Sequence, residues 1–160
     1  MELQPVTVFD VTDVNESSDK EPTLTLQNIQ TRQEVTLPGA ILEAQYSFGE
    51  NYLLFVTYNS PFEEALSIYY LNAQLETLDA LELSAWYTTG DFRDLKKTAQ
   101  NELQFKFFGE EEGWTLQVLL RPKFKLFSSF FVKRHHGSNS SLFSCIKQLV
   151  KKKFLLLQES

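Results

Sequence analysis

Residues 40–58 read AILEAQYSFGENYLLFVTY. Gly49-Glu50 divides this stretch into two runs, 40–48 and 51–58, and is the two-residue connection typical of a tight β-hairpin. In the second run Tyr52, Leu54 and Val56 share one face, while Leu53 and Phe55 share the other. Both faces are therefore apolar. A strand of this kind is expected at the centre of a sheet, covered on both sides.

Outward from this hairpin the chain keeps returning to short apolar runs between turn residues. Upstream, PVTVFDV (5–11) reads as a strand, NESSDKEP (15–22) as a loop, and LTLQNI (24–29) and QEVTL (33–37) as two strands ending at the Pro38-Gly39 turn. Downstream, NSPF (59–62) is a turn in which Pro61 fixes the backbone. ALSIYYLN (65–72) and LETLDALEL (75–83) form the next candidate hairpin, although the second run also has helical propensity. TTGD (88–91) is a further turn. ELQFKFF (102–108) and WTLQVLL (114–120) alternate most clearly of all. Strands at this spacing predict a mainly β fold: an antiparallel β sandwich, a barrel or a curved meander.

The final forty residues differ. FKLFSSFFV (124–132) reads as strand or helix, and KRHHGSNSS (133–141) as a polar loop. Beyond it Leu142, Ile146, Leu149, Val150 and Phe154 recur at helical spacing, with Ser140 or Ser141 as N-cap and Lys151–Lys153 complementing the helix dipole. A C-terminal helix over 141–157 is expected to pack on the sheet, with Cys145 on its apolar side. The chain of 160 residues reads as one domain, 1–160, divided by charge. Residues 1–120 carry 20 acids and 6 bases, net −14; residues 121–160 carry 9 bases and 1 acid, net +8. The acidic β body is expected to repel nucleic acid and to attract a basic protein partner.

A single cysteine permits no internal disulfide and fits a reducing compartment. MELQPVTVFDVTDVNE carries acids and no base, unlike a signal peptide, and no run of about 18 apolar residues suggests a membrane span. A soluble cytoplasmic protein without membrane contact is expected. The sequence contains no GxSxG, HExxH, CxxC, phosphate-binding glycine loop or dinucleotide fingerprint, so neither an enzyme nor a cofactor or metal is expected. His135 and His136 are adjacent and lack neighbouring ligands, and read as part of a surface loop.

The candidate sites are acidic turns. In GEEEGW (109–114), matching the apolar faces pairs Phe107 with Trp114 and Phe108 with Gly113. Trp114 then points into the core, and Glu110, Glu111 and Glu112 occupy an exposed tip. Adjacent carboxylates on such a tip lack the walls that tune catalytic acids, and suit either a solvated turn or a partner-binding knob. Glu63 and Glu64 at the NSPF turn, and Asp91 and Asp94 at the TTGD turn, extend this acidic set, with Trp86 and Tyr87 as candidate aromatic anchors.

The runs YLLFVTYNSPFEEALSIYYLN (52–72), LETLD (75–79), YTTGDFRDL (87–95) and NELQFKFFGEEEGWTL (101–116) together resemble the all-β immunity proteins of bacterial toxin–immunity systems, including contact-dependent growth inhibition. The resemblance lies in texture over residues 50–120 and assigns no site residue; the basic tail has no counterpart in it. It implies a small acidic cytoplasmic protein that binds and blocks a toxin domain, commonly a basic nuclease. The expected function is thus a protein-binding inhibitor. The alternative is a structural or small-ligand-binding β domain with an aromatic-rich interior.

Overall fold

Phe48 and Asn51 face each other across Gly49-Glu50, which confirms the two-residue hairpin at the heart of the chain. Gly49 takes the first turn position at φ 64, the conformation such a turn demands and glycine supplies at least cost. The computed structural model describes residues 1–85, 87–109 and 113–119, together with the backbone of the strands Phe130–His135 and Cys145–Gln148.

Thirteen strands form among these residues: β1 (Leu3–Pro5), β2 (Phe9–Asn15), β3 (Thr23–Asn28), β4 (Glu34–Pro38), β5 (Ile41–Phe48), β6 (Asn51–Thr57), β7 (Ala65–Leu71), β8 (Thr77–Ser84), β9 (Arg93–Ala99), β10 (Glu102–Lys106), β11 (Gly113–Val118), β12 (Phe130–His135) and β13 (Cys145–Gln148). They make three antiparallel sheets, ordered β1-β5-β6-β7-β8-β13, β12-β11-β10-β9 and β2-β3-β4. Each sheet keeps its own edges among the described residues, and these strands close no barrel.

The six-stranded sheet is the middle layer, and β6 is one of its inner strands. On one face Leu53 and Phe55, with Leu66, Ile68 and Leu83, pack against Leu103, Phe105, Phe107, Trp114 and Leu116 of the β10–β11 region. On the other, Leu54, Val56, Tyr69 and Leu71 pack against Phe9, Leu24, Leu26 and Leu37 of the three-stranded sheet. The double apolar parity of residues 51–58 therefore has its physical counterpart: both faces of β6 are roofed. Gly39 lets β4 turn into the middle layer, with φ 129 and its α-carbon set so close to Val56 that an added Cβ would collide with that side chain.

Several sequence expectations change, and one strand is added to them. The single strand over 5–11 is two strands, because the chain switches sheets there: Gln45 accepts the Val6 N–H on its backbone oxygen at 3.0 Å and the Val8 and Phe9 N–H groups on its side chain. RDLKKTA (93–99) is a strand, β9, although its alternation is weak. It is a sheet edge, and an edge strand with most positions in solvent needs few apolar residues. In the β10–β11 hairpin Trp114 faces Phe105, and Gly113 faces Lys106. The expected pairing of Phe107 with Trp114 is thus two positions off. A slip of two keeps every side chain on its face, so Phe107 and Trp114 are both buried all the same.

At the basic end, Lys133, Arg134 and His135 belong to β12 rather than to a loop, and pair with Thr115, Trp114 and Gly113. Cys145–Gln148 lies inside the expected helix but is strand β13, paired with Leu81–Ser84 of β8. The pairing occupies the outer N–H and C=O groups of β8, which a helix lying on the sheet would leave open. The rest of the 141–157 helix, and His136, fall outside the described residues.

Candidate functional site at the Pro61 and Tyr87 turns

The turn after β6 is built around one carboxylate. Glu64 accepts N–H bonds from Tyr58 at 2.7 Å, Ser60 at 3.1 Å and Ala65 at 3.0 Å. These bonds gather residues 58–65 into a fixed loop, with Asn59 at φ 58 and Pro61 at its tip. Glu64 is therefore a turn-forming residue, and its oxygens are largely committed to backbone. The geometry pushes Phe62 outward, where it is 82% exposed.

Glu63 points the other way along the surface. Its Oε1 accepts the Tyr87 N–H at 3.2 Å and ties this turn to the segment after β8. Tyr87 sits at φ 53, a conformation bulky residues seldom adopt, and is 89% exposed. Phe62 and Tyr87 are the two most exposed large apolar side chains of the described residues, and Glu63 holds their loops together. Phe62 escaped the sequence reading, which treated NSPF only as a turn. The signal was present: an aromatic between Pro61 and two glutamates lies outside every strand alternation and has no core face to serve.

Residues 87–91 lead from this patch to the four-stranded sheet. The Asp91 N–H donates to Phe107 O at 2.7 Å, and its carboxylate, 79% exposed, lies 3.8 Å from Arg93. Arg93 Nη2 donates in turn to Gly109 O at 2.8 Å. The TTGD turn thus abuts the base of the glutamate loop. Glu110, Glu111 and Glu112 themselves, like Trp86, lie outside the described residues. Asp94, at φ 56, lies 3.6 Å from Lys106. Of the candidates, Glu63 and Tyr87 are joined directly, Glu64 supports them from beneath, and Asp91 and Asp94 each face a cation of their own sheet.

Glu63 and Glu64 are engaged with backbone N–H groups, and among the described residues no three His, Cys, Asp or Glu side chains converge to hold a metal ion. A cleft of about 260 Å³ lies along β9–β11, where Asp94, Lys96, Gln104 and Lys106 line it together with Phe105, Gly113 and Trp114. In the interior, Phe55, Phe92 and Phe105 lie with centroids 5.2–5.6 Å apart, already in contact with one another. No helix of the described residues is long and apolar enough to cross a membrane. No family model, curated protein or solved structure matches the chain.

Proposed function

We propose that this chain is a protein-binding inhibitor: an immunity protein that neutralises a basic nuclease toxin domain by covering its active site. The observation that carries this reading is the pair of exposed aromatics, Phe62 and Tyr87, held beside Glu63 on a body of net charge −14 over residues 1–120. Exposed aromatics fixed on rigid turns are the typical anchors of an interface, because they bury much area at little entropic cost. The surrounding acids speed encounter with a basic surface and reject acidic ones. Tyr87 adds a further sign. A tyrosine held in the left-handed region costs about 1–2 kcal/mol, a cost tolerated where the outward ring has a use. Occlusion requires no chemistry of the inhibitor, consistent with carboxylates engaged in structure rather than free for proton transfer. Asp91 and Asp94 extend the same proposed surface toward the four-stranded sheet.

Co-expression with the products of the neighbouring reading frames, followed by calorimetry on any basic partner recovered, tests the proposal. The Phe62→Ala/Tyr87→Ala double variant is expected to lose at least about 2 kcal/mol of binding while melting as the parent does. Tyr87→Asn separates function from fold, since asparagine accepts this backbone: it is expected to be as stable as the parent or more so, and to bind more weakly. Partner affinity unchanged in both variants, or no partner among those products, overturns the reading.

A further inference from the structure

Among the described residues, strand β2 is the edge of the three-stranded sheet and is paired on one side only, with β3. Its first residue shows what the open side accepts. The Gln45 carboxamide lies against it like a fragment of a neighbouring strand: Oε1 accepts the Val8 and Phe9 N–H groups, each at 2.9 Å, and Nε2 donates to Phe9 O at 3.1 Å. The outward backbone groups of Phe9 are thereby satisfied within the chain. In an antiparallel ladder the outward role returns at every second residue. It falls next on Val11 and then, delayed by the bulge between Val11 and Asp13, on Val14. Among the described residues, nothing pairs with the outer backbone side of β2 from Val11 to Asn15.

The side chains agree with the backbone. Val11 and Val14 pair with Leu26 and Leu24 and so share the core-facing side of the sheet, yet they are 45% and 40% exposed. The apolar flank of the edge is therefore as uncovered as its peptide groups. Asp10 and Asp13, opposite Gln27 and Thr25, line the other face in solvent.

We propose that β2 is a docking edge that accepts an extended basic segment of a protein partner as a fourth strand of this sheet. A second copy of the chain is the wrong occupant. Antiparallel pairing of β2 with itself would bring Asp10 and Asp13 of one chain up against those of the other, and like charges across a ladder repel. A strand with lysine or arginine at alternate positions turns the same two carboxylates into attractive cross-strand partners. Its intervening apolar side chains fall on the side of Val11 and Val14 and complete their burial. Main-chain bonds to the two outward positions supply affinity, and the charge alternation supplies selection. This site is separate from the Phe62–Tyr87 patch and stands or falls without it.

The test uses the whole chain and a capped peptide of alternating lysine and valine as long as β2. On binding, backbone amide resonances of Val11–Asn15 are expected to shift and their hydrogen exchange to slow, with those of Phe62 and Tyr87 unmoved. The glutamate–valine counterpart is expected to bind at least about tenfold more weakly. In Asp10→Lys/Asp13→Lys, both changes being on exposed positions, that preference is expected to reverse. A lysine–valine peptide that leaves the β2 amides unperturbed overturns the proposal. So does a charge-reversed variant with unchanged preference, or self-association of the parent through β2 in sedimentation.

Discussion

Glu64 shows how a single side chain can pass for one thing in the sequence and be another in the fold. As half of a glutamate pair at a turn it reads as surface charge. In the structure its two oxygens collect three backbone N–H groups, from Tyr58, Ser60 and Ala65. Those donors come from three points of one turn, and the carboxylate gathers them as a ladder partner would. Replacing it with alanine strands them, and hydrogen bonds to a charged acceptor are the costlier kind to lose. Glu64→Ala is expected to lower stability by about 1–3 kcal/mol, with Glu64→Gln retaining part of it through its one oxygen. Urea denaturation measures this directly; an alanine variant as stable as the parent would show that the loop holds itself. Glu63, the adjacent residue, accepts the Tyr87 N–H of a different segment, so the two glutamates separate into support and surface. The sequence carries no mark of that division, because it depends on which way each side chain leaves a turn whose geometry only the folded backbone defines.

At the scale of the strand, parity was legible and register was not. Leu103 and Phe105 alternate with Gln104 and Lys106, and the burial of β10 follows that alternation. β6 has no polar parity and is buried on both faces. Removing side chains should expose the contrast. In β10, Phe105→Ala is expected to cost about 3–5 kcal/mol and Gln104→Ala no more than about 0.5. In β6, the neighbours Leu54 and Phe55 belong to different cores, so Leu54→Ala and Phe55→Ala are both expected to cost at least about 2 kcal/mol. Denaturation midpoints at constant m-value read out all four, and a tolerant Leu54→Ala would mean that the three-stranded sheet does not cover β6. Facing parity fixes a hairpin only to within steps of two, which is why Phe105 rather than Phe107 faces Trp114. The edge strands were the hardest to see. β9 is mostly in solvent, and β13 finds its place through the open side of β8, a partner more than sixty residues earlier in the chain. Neither its helical periodicity nor its basic residues point to that edge.

Across the whole molecule, one consequence of a middle layer roofed on both sides falls on its tyrosines. Tyr69 packs in the core beneath the three-stranded sheet and Tyr70 in the opposite one. Tyr69 OH donates to Pro38 O at 2.8 Å, Asn51 Nδ2 donates to Tyr70 OH at 3.0 Å, and Tyr58 OH shares a 3.0 Å bond with Ser67 Oγ. Burial raises the pKa of Tyr46, Tyr58, Tyr69 and Tyr70 above the ordinary value of 10.0, because a phenolate in these sites would lose its water. The unfolded chain therefore releases these protons first. The stabilisation is complete below pH 10 and declines as pH rises above it, since ionisation then favours the unfolded state. Alkaline titration is expected to show the phenolate absorbance of these four residues appearing together with loss of the far-ultraviolet sheet signal, as one cooperative event. Tyr58→Phe removes a strongly shifted group and leaves Ser67 within reach of Tyr69, so its stability is expected to fall less steeply above pH 10. Phenolates that form while the sheet signal holds would mean that water reaches both cores, and that the outer sheets lie on the middle one more loosely than their packing implies.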